Sequence, residues 1–420
     1  MTAWRGRAVC VLATILVGGA SGGVATAAGP GAEVAGDGRP VAGDRMFAVP
    51  APSGPHEVGS TTLHLVDETR PDPWNPGRPR ELMITVTYPA APDAGTPLAR
   101  YLSSDFPPAA VRSIAAEAGL PIDVETLPGL WTHAHRGAPI DSTPERSLPV
   151  ILYSPGVGVP RMFGTSLVED LASRGYVVVS VDHTYDAQVV EFPDGRLEVA
   201  AMPTGPEEPG EWGRKALDAR VADSEFVLDE LADVAGGGNP AAEGRPLPDG
   251  LGRALDLSRV GMFGHSLGGV TTTEVMRRDA RVAAGVSLDG SVGSDSGPGA
   301  APTAGSDRPI MLMSSRSLSA GEPDTYWNAL WDKSSGWKRQ LELSGAGHYS
   351  FTDVPGLLPP IPASIAAEVA GPYLGTISSA RADEIVRTYV AAMFDRFLRD
   401  QPAPLLDCSD EAFPEVRYVR

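Results

Sequence analysis

The stretch VGMFGHSLGGV, residues 260 to 270, constrains this chain more than any other. An apolar strand pattern, Val260 to Phe263, runs straight into Gly264-x-Ser266-x-Gly268, and a helical pattern starts at Gly269. Strand, tight turn and helix in that order fit an elbow that lifts a serine oxygen above the end of a sheet, with small flanking residues because the turn leaves no room for larger ones. The same spacing recurs at Gly19-Ala20-Ser21-Gly22-Gly23, where neither a strand nor a helix pattern flanks it. Context therefore selects Ser266 as the candidate nucleophile.

An elbow of this kind needs a sheet with helices packed on it. Apolar, β-branched runs of strand length occur at Thr62–Val66, Leu82–Tyr88, Val150–Tyr153, Tyr176–Val181, Val260–Phe263, Ala283–Leu288, Ile310–Met313 and Arg339–Leu343. Several are continuous rather than alternating, as strands buried on both faces should be. Helical patterns lie between them at Thr165–Ser173, Lys215–Ala235, Gly269–Arg277 and Ala380–Arg399. The alternation predicts an α/β fold with a mostly parallel, doubly wound sheet. Three long connections, residues 97–147, 185–214 and 351–379, are expected as lids, pocket walls or surface decoration.

The first 27 residues read as a secretory leader: Arg5 and Arg7, an apolar run from Ala8 to Val17, then Ala25-Thr26-Ala27 as a cleavage site. That run is too short to span a bilayer. Residues 28–56, rich in Gly, Ala, Pro and Asp, read as a flexible lead-in; residues 57–400 form one catalytic-size domain, and 401–420 a C-terminal tail. Cys408 is the only cysteine beyond the leader, which leaves no intrachain disulfide, so a core drawn from 42% hydrophobic residues must supply stability. A formal net charge of −19 repels nucleic acid and anionic lipid surfaces, so lipid contact is expected to be transient at most. No His/Cys/Asp grouping has the spacing of a metal site, and no cofactor motif is present.

A serine nucleophile needs a base and an acid to orient it. Of seven histidines, only His348 lies well beyond Ser266, and it follows the strand Arg339–Leu343 through the flexible loop Ser344-Gly345-Ala346-Gly347. In elbow-bearing sheets the chain order is nucleophile, acid, histidine. Two placements for the acid remain open. Asp289 ends the strand beside the nucleophile strand, whereas Glu322 and Asp324 follow the next strand at a distance of some ten residues. Strand-end geometry favours Asp289. His183, in VDHTYD, precedes the nucleophile and reads as structural or pocket-lining.

Taken together, the elbow, VSLDG ending the next strand and GAGHYSFTD around His348 resemble the platelet-activating-factor acetylhydrolase family of α/β hydrolases, plasma and intracellular type II. The stretches VILYSPGVGVPRMFG and LASRGYVVVSVDHTYDA resemble that family's oxyanion strand and loop and the strand after it, so the likeness covers roughly residues 82 to 400. It implies Asp289 as the acid, because the family's aspartate lies a little over twenty residues past the serine and Asp289 lies 23 past Ser266. It implies an α/β-hydrolase fold with long lid-like loops and an oxyanion hole made of the Val157 and Leu267 N–H groups. Pro155 departs from the family, which commonly carries histidine there, and SPG with GYVVVSVD also resembles bacterial polyester hydrolases of the cutinase type. The expectation is a secreted serine esterase acting on short-acyl, small-molecule or lipid esters without calcium. A cutinase-like lipase is the alternative, and a non-catalytic binding protein on the same scaffold the remoter one.

Overall fold

The computed structural model describes residues 49–92, 95–102, 129–141, 147–201, 209–290, 301–315, 325–357 and 371–420. In chain order the strands are β1 (Glu57–Pro71), β2 (Pro79–Ala90), β3 (Leu98–Arg100), β4 (Trp131–Arg136), β5 (Leu148–Ser154), β6 (Val177–Asp182), β7 (Val189–Glu191), β8 (Leu197–Val199), β9 (Leu255–His265), β10 (Val282–Leu288), β11 (Ile310–Ser315), β12 (Lys338–Leu343) and β13 (Val416–Tyr418). The longer helices are α1 (Thr165–Ser173), α2 (Pro209–Ala235), α3 (Leu267–Arg278), α4 (Thr325–Lys333) and α5 (Ser379–Arg399). Among the described residues one sheet runs β13-β12-β11-β10-β9-β5-β6-β2-β1-β4-β3, and β7 pairs with β8 apart from it.

From β6 to β12 every neighbouring pair is parallel, while β1–β2, β2–β6 and β12–β13 are antiparallel. The continuous apolar runs explain why. Val150 and Leu152 of β5 face a core that takes in α2, α3 and α4, whereas Ile151 and Tyr153 face a second core with α1 and α5. A strand buried on both faces cannot alternate, and parallel strands need crossover helices to cover both faces. The chain winds from β5 to β6 in one direction and from β9 to β10 in the other, so β5 and β9, which are neighbours, flank the switch point where such sheets open a crevice at their carboxyl ends. Two expected site segments leave the sheet there: the loop after Ser154 and the elbow at Ser266.

Two segments differ from the sequence reading. Residues 49–56, expected as part of a flexible lead-in, are docked. Val49 is buried, Ser53 donates its N–H and hydroxyl to Asp170 Oδ1 at 2.8 and 2.7 Å, and Arg387 donates to the Pro50 and Ala51 carbonyls, each at 2.9 Å. Their partners lie more than a hundred residues away, so local composition carries no trace of them. The expected tail, residues 401–420, closes the sheet: β13 pairs with β12, and Leu406 is fully buried. A three-residue strand has no periodicity to read. Likewise the described parts of the 97–147 connection add β3 and β4 to the opposite edge rather than forming a lid.

Beneath β2 and β6 lies a charge network whose centre is closed to solvent. Arg80, fully buried, meets Asp223 through Nε–Oδ1 at 3.0 Å and Nη2–Oδ2 at 2.6 Å, and Asp72 through Nη1 at 2.7 Å. Asp223 also accepts from Arg70 at 2.7 Å and from His183 Nδ1 at 2.9 Å. Burial pushes the Asp223 carboxyl up, but the Arg80 charge and the bonds from His183 and Arg80 hold it well below the usual range. Burial, then Arg220, pushes the His183 imidazole down. A depressed histidine stabilises the fold fully above pH 6.5, its ordinary value, and that contribution is lost as pH falls from there; the Asp223 share is lost only below 3.8. Urea unfolding should therefore show stability declining below pH 6.5, with a second decline in stronger acid. Asp223→Ala should cost about 3–5 kcal/mol at neutral pH, because it strands buried cations.

Candidate active site

β9 ends at His265 and α3 begins at Leu267, so Ser266 alone carries the change of direction, with φ 55° and ψ −124°. Positive φ on a side-chain-bearing residue stores strain of about 1–3 kcal/mol, which surrounding contacts must offset. Here the Ser266 N–H donates to the Leu288 carbonyl at 2.9 Å, and the Ser266 carbonyl accepts the Gly269 N–H at 2.9 Å. The flanking glycines are steric requirements. A Cβ on Gly264 would sit 2.1 Å from the Gly268 carbonyl oxygen, and one on Gly268 would sit 1.9 Å from that of Ser154. The second distance shows how closely the elbow packs on the end of β5. Ser266 itself remains half-buried, open enough to meet a substrate.

Asp289, directly after β10, also has positive φ, 48°. His348 opens a short 3-10 turn after β12, and its Nδ1 lies 2.6 Å from Asp289 Oδ2. Asp289 has two further donors: the Ser315 N–H to Oδ1 at 2.7 Å and the Ser315 hydroxyl to Oδ2 at 2.9 Å. A carboxylate so held accepts the Nδ1 proton and leaves the His348 Nε2 lone pair free as a base. His265 Nε2 donates to the His348 carbonyl at 2.8 Å, and the two rings lie 4.5 Å apart. Burial, then the nearby His348, pushes His265 well below the ordinary imidazole value, so it acts as a neutral strut. Ser266 Oγ makes no hydrogen bond to His348 among the described residues; contacts of this kind tighten when substrate binds.

The structure thus brings Asp289 to His348, while Glu322 and Asp324, the other acids considered, lie outside the described residues. Ser315 and His265 were missed by sequence reasoning. Ser315 could have been found as the terminal residue of the strand next to the acid. His265 sits inside the motif, yet nothing in spacing says that its ring braces the loop of the base.

On the other side of the elbow, the loop after β5 passes against the serine: a Cβ on Gly156 would lie 3.2 Å from Ser266 Cβ and 3.1 Å from His265 Nδ1. Val157 follows at once. Neither its N–H nor that of Leu267 is engaged by another hydrogen bond among the described residues. The loop is backed by Arg220 and Asp186, both buried, and neither was singled out from the sequence. Phe163, Val159 and the partly buried Tyr349 and Leu374 gather in one apolar cluster along this side, with the Tyr349 ring 5.6 Å from His348 and 6.3 Å from Tyr373.

A second serine–histidine–aspartate chain lies below. Ser154 Oγ is 2.9 Å from His183 Nε2, and His183 Nδ1 is 2.9 Å from Asp223 Oδ2, with all three sealed from solvent. His183 is therefore structural, as its place before the nucleophile implied.

Comparison with known proteins places the chain among esterases. The family model for platelet-activating factor acetylhydrolase, isoform II, matches residues 125–194, which include β5, the loop after it and β6. A probable 1-alkyl-2-acetylglycerophosphocholine esterase of Arthroderma benhamiae is 28% identical over 401 residues, 89% of this chain and 94% of that protein. The platelet-activating factor acetylhydrolase of Bos taurus is 27% identical over 179 residues, 39% of this chain and 38% of that one. Among solved structures, a ferulic acid esterase from Streptomyces cinnamoneus superposes with a TM-score of 0.73 at 40% identity, covering 89% of this chain and 99% of the other. The chain belongs to the platelet-activating factor acetylhydrolase family of α/β hydrolases, and it is a carboxylic ester hydrolase.

Proposed function

We propose that this esterase works through Ser266, His348 and Asp289, with the Val157 and Leu267 N–H groups as its oxyanion hole. The observation that carries the reading is the Ser315-braced Asp289 carboxylate 2.6 Å from His348 Nδ1, beside a serine held at positive φ. His348 Nε2 takes the Ser266 proton as Oγ attacks the ester carbonyl. Asp289 stabilises the imidazolium that results. Negative charge develops on the carbonyl oxygen, where two backbone donors can meet it. The tetrahedral intermediate collapses as His348 protonates the leaving alcohol, and water, activated by the same base, then releases the acid from Ser266. The leader-like first 27 residues support action outside the cell.

For the substrate we propose short-acyl esters, including phospholipids with a short acyl chain, as the name of the fungal relative suggests. A second reading, aromatic acyl esters, is favoured by the 40% identical ferulic acid esterase and by the Tyr349–Tyr373 ring pair beside His348. A hydrolysis panel separates them: p-nitrophenyl esters from C2 to C16, a 1-alkyl-2-acetyl phospholipid and methyl ferulate. Highest kcat/KM on the acetyl compounds is expected. A maximum on methyl ferulate would move the assignment to aromatic acyl groups, and a maximum at long chains would restore the lipase alternative.

The machinery is tested by substitution. Ser266→Ala should cost on the order of 10⁴ to 10⁶ in kcat and abolish labelling by an organophosphate. Asp289→Asn should cost roughly 10³ to 10⁴, since the wrong imidazole tautomer is then held. Ser315→Ala should cost on the order of tenfold, the worth of one hydrogen bond to a charged group. Asp324→Asn should leave kcat near wild type; a crippled Asp324→Asn beside a mild Asp289→Asn would reassign the acid.

A further inference from the structure

The loop that carries Val157 is fixed by a single ion pair. The Arg220 guanidinium, fully buried, donates Nη1 to the Pro155 carbonyl at 2.6 Å and Nη2 to the Gly156 carbonyl at 2.9 Å. It also holds Asp186 through Nε–Oδ2 and Nη2–Oδ1, both at 2.7 Å. Asp186 Oδ1 in turn accepts the Gly158 N–H at 3.1 Å. The Gly156 carbonyl also accepts the Val159 N–H at 3.1 Å, closing a turn in which Gly158 has φ 74°. That is the form of a type II turn.

Peptide planarity turns these contacts into a statement about direction. In a trans peptide the C=O of one residue and the N–H of the next point opposite ways. Arg220 draws the Gly156 carbonyl toward the core, so the Val157 N–H of the same plane faces away from Arg220. The Pro155 carbonyl is held likewise, which turns the Gly156 N–H outward too. The plane that follows is fixed by its N–H on Asp186. Three successive peptide planes are therefore oriented by one Arg–Asp pair. A guanidinium fork is suited to this because it serves two carbonyls and a carboxylate at once, which an ammonium cannot do in the same geometry.

We propose that Arg220, anchored by Asp186, is the positioning residue of the oxyanion hole: it holds the Gly156–Val157 peptide with its N–H aimed at the developing oxyanion. This rests on the serine-esterase reading above. Without the fork, only the turn bond from the Val159 N–H still holds the Gly156 carbonyl, the plane can tilt, and the donor is lost in the transition state while ground-state binding is largely kept.

The test uses full-length enzyme carrying Arg220→Lys, which keeps a cation against Asp186. A folded variant, judged by circular dichroism and cooperative thermal unfolding, should lose about 10²- to 10³-fold in kcat, the range for losing one oxyanion donor. KM should stay within about threefold. The Ki of a trifluoromethyl ketone, whose adduct with Ser266 carries the oxyanion, should rise by the same factor as kcat falls. Should Arg220→Lys not fold, Asp186→Asn, which loosens the anchor and nearly keeps its shape, carries the same readouts. Wild-type kcat in a folded variant, or a fall in kcat with Ki unchanged, overturns the proposal. Failure of the underlying reading shows elsewhere, as activity surviving in Ser266→Ala.

Discussion

Everything in the site depends on a backbone conformation that a serine avoids by itself. With φ at 55°, Ser266 is tolerable only because its N–H is taken by the Leu288 carbonyl and because Gly264 and Gly268, two residues to either side, have no side chains to collide. The same bond to Leu288 joins the elbow to β10, and one residue on comes Asp289, also at positive φ. Ser266 and Asp289, the proposed nucleophile and acid, are thus two ends of one constraint. Where β9 and β10 stop in register, both residues leave the sheet at the same level, and His348, the proposed base, comes from the loop after β12.

That loop is steadied from two directions. His265 grips the His348 carbonyl, and Ser315 grips Asp289, so neither partner of the 2.6 Å contact between His348 and Asp289 is free to wander. On the far side, Arg220 and Asp186 do the same for the loop after β5. Such buried ion pairs are weak sources of stability, because desolvation cancels most of their attraction. Their worth here is directional. An apolar replacement could fill the space under Gly156, but it could not choose which way a peptide plane faces.

How much of this was legible follows from how far each contact reaches along the chain. The eight strand runs and four helices were readable because burial on both faces writes itself into local composition, as in Val177 to Val181 of β6. Ser266 and His348 were readable from the elbow and from elimination. Asp289 needed a choice between strand ends, and the structure shows it against His348. By contrast, residues 49–56 and the last strand, Val416–Tyr418, owe their order to partners far away in sequence, Asp170, Arg387 and β12. Arg220 sits on α2 between apolar positions and reads as any helix arginine. Only the folded chain places its guanidinium beneath residues 155 and 156.

The buried chain of Ser154, His183 and Asp223 shows why hydrogen-bond geometry alone does not make an active site. Its spacings, 2.9 and 2.9 Å, would pass for a working arrangement. Yet Ser154 Oγ also lies 3.3 Å from Arg220 Nη1, so its lone pair faces a cation and its proton goes to a neutral, depressed His183. An oxygen held that way is a poor nucleophile, because removing its proton would create an imidazolium beside Arg220. Asp223 is already committed to Arg80 and Arg70 and has little charge left to steady one. At His348 the balance is reversed: among the described residues Asp289 pairs with no arginine or lysine and accepts only from Ser315 besides His348, so its charge is available to the imidazole. The difference between a structural relay and a reactive one lies in what the carboxylate neutralises and whether the serine can be reached. Both counts favour Ser266 over Ser154 as the proposed nucleophile.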